Sequence, residues 1–273
     1  MKPSDVEAEI ALLARELKTP VITATFSGLA EQARAEAWSH ETYLAAVLAR
    51  QVASRTVNGT RLRVAGAHFP QTKTIEDFSF TGLPAATRDT LAHLATTTFI
   101  GRRENVVLLG PPGLGKTHLA IAIGIKACEA GYPVAFASTT SWLSRLATAH
   151  DRNTLELELR RLNRYRLLII DEVGYLPLDA AAASLFFQLI ASRYETGSVI
   201  VTSNLAFSQW GQTLGDDIVA AATIDRLVHH ATVLPLDGES YRTKKHRPPT
   251  RLQPLEGSVF KQHHGVKIHP ALT

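Results

Sequence analysis

The sequence predicts an α/β chain in which a parallel sheet is flanked by helices and preceded by a small helical unit. Three observations predict it. From Ile75 onward, apolar strand-like runs alternate with helical patterns, the mark of βαβ units around a buried parallel sheet. The stretch NVVLLGPPGLGKTHLA, residues 105–120, passes from an apolar run through a glycine-rich turn into a helical apolar pattern. RLLIIDEVGYLPL, residues 166–178, is a second apolar run and ends in paired acids.

The elements follow in chain order. Ser4 and Glu7 form a capping-box pattern, and Ile10, Leu13 and Leu17 continue at helical spacing until Thr19-Pro20 stops them. A second helix starts near Ser39, with Tyr43, Leu44, Val47, Leu48 and Val52 on its apolar face and Asn58-Gly59 as its stop. Residues 1–72 therefore read as a helical unit that binds DNA or a partner, with Arg50, Arg55, Arg61 and Arg63 along its later part. FPQTKTIEDFSF, residues 69–80, mixes Pro, polar and aromatic residues, which suits a linker docked on the next domain. The core spans 73–245, with the runs NVVLL, PVAFAS, LLIIDE and SVIVTSN as strands, and one helical stretch reaching Arg164 between the second and third. The remainder, 246–273, is a basic, Pro-bearing tail.

A chain of 273 residues suits a core domain with a smaller one appended, and 45% hydrophobic residues supply the core. The formal charge is +4 and the pI about 9.3, so any basic surface must come from local clustering. The one cysteine, Cys128, has no partner for a disulfide and no zinc-site spacing, and reads as core packing. The first residues lack a basic-then-apolar leader, and no run approaches the roughly 18 apolar residues of a membrane span. A cytoplasmic protein without a membrane partner is expected.

The phosphate chemistry is carried by Gly110, Pro111, Pro112, Gly113, Leu114, Gly115, Lys116, Thr117 and His118. GxxxxGK[ST] between a strand and a helix lets backbone N–H groups approach phosphate oxygens, with the positive end of the helix dipole beside them. Lys116 reaches the β and γ phosphates of ATP, and Thr117 offers its hydroxyl to Mg²⁺. The competing reading, a tight turn with a surface lysine, lacks a reason for the strand and helix on either side. Asp171 emerges at the C-terminal end of its strand, where open α/β sheets bind ligands, and joins Thr117 as a metal residue. Glu172 is placed to orient or deprotonate water. The tip of SVIVTSN should lie beside Asp171, where Asn204 either bonds the γ-phosphate or the attacking water, or is an ordinary polar strand end.

With TIDRLVHHA, residues 223–231, and GESYRTKKH, residues 238–246, these motifs resemble AAA+ ATPases of the DnaC/IstB branch, and within it the IstB-like transposition helpers. The resemblance covers most of the chain from about Phe78 to Lys245. It implies an AAA+ P-loop fold with a reduced C-terminal lid, in keeping with the short, Pro-rich remainder after Arg226. It also implies catalytic roles for Lys116, Asp171, Glu172 and Asn204, the last as a sensor of the γ-phosphate. Arg226 falls where the family places a finger directed at the ATP of the next subunit, and Arg242 where it places a second phosphate-sensing arginine. ATP-bound subunits would then form a homo-oligomer with shared sites on double-stranded DNA and recruit an IstA-like transposase, hydrolysis resetting the assembly. The alternative is a DnaC-like helicase loader; a P-loop kinase or phosphotransferase lacks an acceptor pocket and a lid.

Basic residues support sequence-independent DNA contact: Arg55, Arg61, Arg63, Arg145, Arg152, Arg160 and Arg161 in the folded parts, and Lys244, Lys245 and Arg247 in a strip poor in acids. Glu156 and Arg160, at i,i+4, equally fit a solvated ion pair. His229 and His230 lack partners at ligand spacing, and adjacent helical positions diverge by about 100°, so a structural or intersubunit role near Arg226 suits them better than a metal.

Overall fold

The computed structural model of the chain describes residues 3–215 and 217–237. Three helices lead: α1 (Pro3–Glu16), α2 (Pro20–Ala35) and α3 (His40–Gly66). After α4 (Ala85–Ala95) and the single turn α5 (Thr98–Gly101), the core runs β1 (Asn105–Leu109), α6 (Lys116–Glu129), β2 (Val134–Ser138), α7 (Thr139–Asp151), α8 (Leu155–Leu162) and β3 (Leu167–Val173). It continues through α9 (Ala180–Arg193), β4 (Ser198–Ser203), α10 (Trp210–Leu214), α11 (Asp217–Val228) and β5 (Ala231–Pro235).

All strand pairs are parallel, in the order β2-β3-β4-β1-β5. Successive side chains of a strand face opposite ways, and both faces here are covered, so the strands are apolar throughout. Val107, Leu168, Ile170, Val199 and Val201 point into one core with residues of α7, α9 and α11. Val106, Leu108, Leu167, Ile169 and Ile200 point into the other, with α4 and α6. Cys128 is fully buried there, and burial pushes its thiol up to about 11.

Several sequence expectations are corrected. α1 ends before Thr19-Pro20 as expected, but Pro20 also begins an unexpected helix, α2: at the first helical position its missing N–H costs nothing. The next orphan donor, Val21 N–H, is taken by Oε1 of Gln51 on α3 at 3.1 Å. Ser39 does cap α3, accepting from Thr42 N–H. The helix then runs through Asn58-Gly59 to Gly66, because its last turns gain tertiary contacts that offset the roughly 1 kcal/mol cost of an internal glycine. Arg63 Nε donates to the Cys128 carbonyl at 2.7 Å, and Phe136 N–H to the Ala67 carbonyl at 2.9 Å. Of the periodic apolar face of α3, Val47 is buried whereas Leu44, Leu48 and Val52 are exposed. The stretch up to Arg164 is two helices, α7 and α8, broken at Asn153, whose φ of +54° is left-handed. The fifth strand, β5, adds to β1 at the sheet edge. His229 and His230 lie just past the end of α11, with ring centroids 4.2 Å apart and Tyr194 Oη 2.9 Å from His229 Nδ1. Among the described residues no helix is long and apolar enough to cross a membrane.

Candidate functional site

The C-terminal ends of β1, β3 and β4 are brought together by parallel register: Leu109 is level with Ser203, and Ser138 of β2 with Asp171. The loop between β1 and α6 crosses this edge. Three of its glycines have positive φ, +144° at Gly110, +87° at Gly113 and +88° at Gly115, which only glycine adopts without strain. At Gly110 a Cβ would also fall 2.1 Å from the Leu236 carbonyl oxygen, so no other residue fits. Pro111 and Pro112 are exposed, and Leu114 packs against the α6-side core.

Lys116 opens α6 and is buried, its Nζ donating to the carbonyls of Gly110 at 2.5 Å and Pro111 at 2.9 Å. The ammonium is thus held inside the curl of the loop, at the positive end of the α6 dipole. Thr117 Oγ1 donates to the Asp171 carboxylate, 2.9 Å from Oδ1 and 3.1 Å from Oδ2. Asp171 is only 6% exposed. His118 faces away from this cluster, with Nε2 2.7 Å from the Thr74 carbonyl oxygen.

Sequence reading missed Thr202. Its hydroxyl donates to Asp171 Oδ1 at 2.5 Å and accepts from Glu172 N–H at 2.9 Å, so one buried side chain orients both acids. Thr139 Oγ1 adds a 2.9 Å bond to the Asp171 carbonyl. The signal was available: a threonine two residues before Asn204, inside a strand predicted to end beside Asp171. Glu172 itself has φ +63° at a shift of register between Ile170 and Val173. A left-handed backbone at a non-glycine residue costs about 1 kcal/mol, and the Thr202 bond helps hold it. Asp171 is buried while Glu172 is exposed, and both line a cleft of about 410 Å³ with Phe136, Ser138 and Ser141. Thr202→Val should keep ATP binding within about threefold and lower hydrolysis about 10- to 100-fold, as loss of an orienting partner does, with Thr202→Ser largely restoring it. Equal turnover of Val and Ser variants would remove the orienting role.

Asn204 follows β4, and its Oδ1 is buried without a hydrogen-bond partner among the described residues. An orphaned amide oxygen beside Ser203 and the Asp171 strand is suited to a donor such as a water molecule. Together with the glycine cradle, the lysine, and the Thr117–Asp171 pair, it makes the site fit a nucleoside triphosphate. The same Thr117 and Asp171 oxygens are hard donors of the kind that would hold Mg²⁺.

Not every predicted residue joins this cluster. Arg226 lies on α11, its guanidinium 4.7 Å over the Phe187 ring of α9 and Nη1 3.2 Å from the Ala222 carbonyl. Arg242, Lys244, Lys245 and Arg247 lie outside the described residues. Of the arginines assigned to DNA, Arg145 and Arg161 pair with Glu158, and Arg160 with Glu156 at 3.6 Å. Arg63 is drawn inward to Cys128, Arg55 bonds the Lys18 carbonyl at 3.4 Å, and Arg61 and Arg152 are exposed.

The family model described as "IstB-like ATP binding protein" matches residues 12–248. The chain belongs to the IstB-like ATP-binding family. The IS21 insertion-sequence ATP-binding protein of Pseudomonas aeruginosa is 43% identical over 239 residues, covering 88% of this chain and 90% of that protein. The IS5376 counterpart of Geobacillus stearothermophilus is 39% identical over 231 residues, covering 85% and 92%. Among solved structures, the replication initiator DnaA bound to AMPPCP and single-stranded DNA superposes with a TM-score of 0.51 at 19% identity, over 63% of this chain and 52% of that one. Domain III of Thermotoga maritima DnaA gives the same TM-score and identity, over 63% and 70%. This IstB-like chain therefore has the AAA+ P-loop fold, and it is an ATP-binding protein of the insertion-sequence type.

Proposed function

We propose that this IstB-like protein hydrolyses ATP to control its own assembly on duplex DNA during insertion-sequence transposition, and that the assembled form recruits the transposase. The observation that carries the reading is the Thr117–Asp171–Thr202 cluster facing Lys116, with Glu172 turned out beside it. Lys116 and the loop N–H groups neutralise and orient the phosphates. Mg²⁺, when bound, would screen the charge that develops between the β and γ phosphates. Thr202 and Thr139 keep the Asp171 strand end in place, so the carboxylate next to Thr117 does not reorganise during the reaction. Glu172 takes a proton from the attacking water, and Asn204 holds that water through its amide.

Hydrolysis in such a protein serves assembly if a neighbouring subunit completes the site. Arg226, half-buried on α11 against α9 of its own subunit, supplies the transition-state charge to the next subunit's ATP, and Arg242 senses phosphate from the following segment. The family relationship supports a role in transposition, since the Pseudomonas and Geobacillus relatives are proteins of insertion sequences. DNA contact rests on the exposed Arg61 and Arg152 and on the basic strip of Lys244, Lys245 and Arg247, and is independent of sequence.

Light scattering of the full chain with duplex DNA tests this. Large complexes should form with ATP, not with ADP or without nucleotide, and Lys116→Ala should form none. A protein that stays small in all conditions would overturn assembly on DNA and favour a partner-dependent loader.

A further inference from the structure

Residues 69–80 do not simply join two domains. They form a strap along α6, the helix that begins with Lys116 and Thr117, and Phe69 also meets Phe136 of β2. At the phosphate end, Phe78 presses on Gly115, where a Cβ would come 2.6 Å from Cε2 of the ring. One residue past Thr117, His118 meets the same ring edge to face at 5.5 Å between centroids. His118 Nε2 lies 2.7 Å from the Thr74 carbonyl. A carbonyl only accepts, so Nε2 carries the proton and donates. Further along, Glu76 pairs with Lys126 at 3.4 Å, and Phe69 sits where a Cβ on Gly124 would come 2.9 Å from its ring. The strap is itself the continuation of α3, which is tied to the far end of α6 through Arg63 and the Cys128 carbonyl.

We infer that His118 is a positioning residue for the phosphate loop, acting through Thr74 and Phe78 of the strap, so that ATP affinity depends on the strap being docked. Thr117 and His118 are adjacent on α6 and diverge by about 100°, so their bonds to Asp171 and to Thr74 tie that first turn to two different elements, β3 and the strap. With the strap seated, Gly115 keeps its left-handed conformation under Phe78 and the loop is preorganised for phosphate. Binding of phosphate in turn tightens the first turn of α6 and, through His118, the strap leading back to α3. The inference rests on ATP binding at this loop and adds the element that tunes it.

The test uses the full chain, with wild type, His118→Ala, His118→Gln and Phe78→Leu compared by ATP kinetics, by affinity for a fluorescent ATP analogue, and by hydrogen exchange of peptides covering 69–80. His118→Ala should raise KM and the analogue Kd about tenfold while kcat stays within about twofold, since the lost bond bears on the cradle and not on Glu172. Gln, whose amide can donate to the Thr74 carbonyl, should recover most of the affinity. Phe78→Leu keeps an apolar side chain over Gly115 but loses the ring edge, and should give an intermediate KM. In wild type, nucleotide should slow exchange of the strap; in His118→Ala that protection should disappear. An unchanged KM in His118→Ala, or equal nucleotide-induced protection of the strap in both proteins, would overturn the inference. Failure of wild type itself to bind the analogue would instead overturn ATP binding at the loop.

Discussion

Replacing Glu172 by Gln should leave ATP affinity within a few-fold of wild type and lower steady-state hydrolysis about 100- to 10,000-fold, the range that loss of a general base produces. The amide keeps the shape and the outward, left-handed placement of the side chain but cannot accept a proton. Asp171 cannot substitute for it, because its carboxylate is buried and already engaged by Thr117 and Thr202. Phosphate release against fluorescent-nucleotide binding separates the two quantities. Hydrolysis within twofold of wild type would take the base role away from Glu172. With hydrolysis blocked, complexes formed on DNA with ATP should also persist where wild-type complexes decay.

Arg226→Ala should bind ATP normally and lose hydrolysis by about 1,000-fold or more, the scale of a charge supplied to the transition state by a finger. In its own subunit the guanidinium stands over Phe187, away from the Lys116–Asp171 cluster, so a purely local role would affect stability and not the chemistry. Lysine should not rescue, since a point charge on a flexible stem does not reproduce a planar fork. The decisive measurement mixes two inactive proteins. Arg226→Ala contributes intact phosphate loops and acids, and Glu172→Gln, which still binds ATP, contributes intact fingers, so mixed assemblies contain some complete sites and should regain activity. No regain in the mixture would place Arg226 outside a shared site.

Much of this site was legible in the chain because its chemistry is local. The glycines, Lys116 and Thr117 are consecutive, and the strand before them and helix after them are strongly patterned. The position of Asp171 toward the end of its strand is legible because a buried parallel strand is apolar until it nears the edge of the sheet. What escaped was set by neighbours distant in sequence. Thr202 looks like any strand threonine until β3 and β4 are aligned and its hydroxyl lies 2.5 Å from Asp171. α2 was hidden because Pro20 reads as a breaker unless Gln51, 30 residues on, is present to take the next orphan N–H. β5 was overlooked because an edge strand is half-exposed, so ATVLP lacks the uniform apolarity of the inner strands. The arginines that looked available for DNA in α7 and α8 are spent largely on Glu156 and Glu158, a pairing that spacing allowed but only folding selected.

By itself, then, the order of residues determined the α/β class, the phosphate loop and the identity of the paired acids, since each depends on short-range pattern and on backbone conformations that few residue types can adopt. The tertiary structure alone decided how those parts act together. Sheet order brought Thr202 to Asp171, the register shift turned Glu172 outward, and the strap from α3 reached His118, because each of these contacts joins segments whose separation along the chain carries no information about their distance in space.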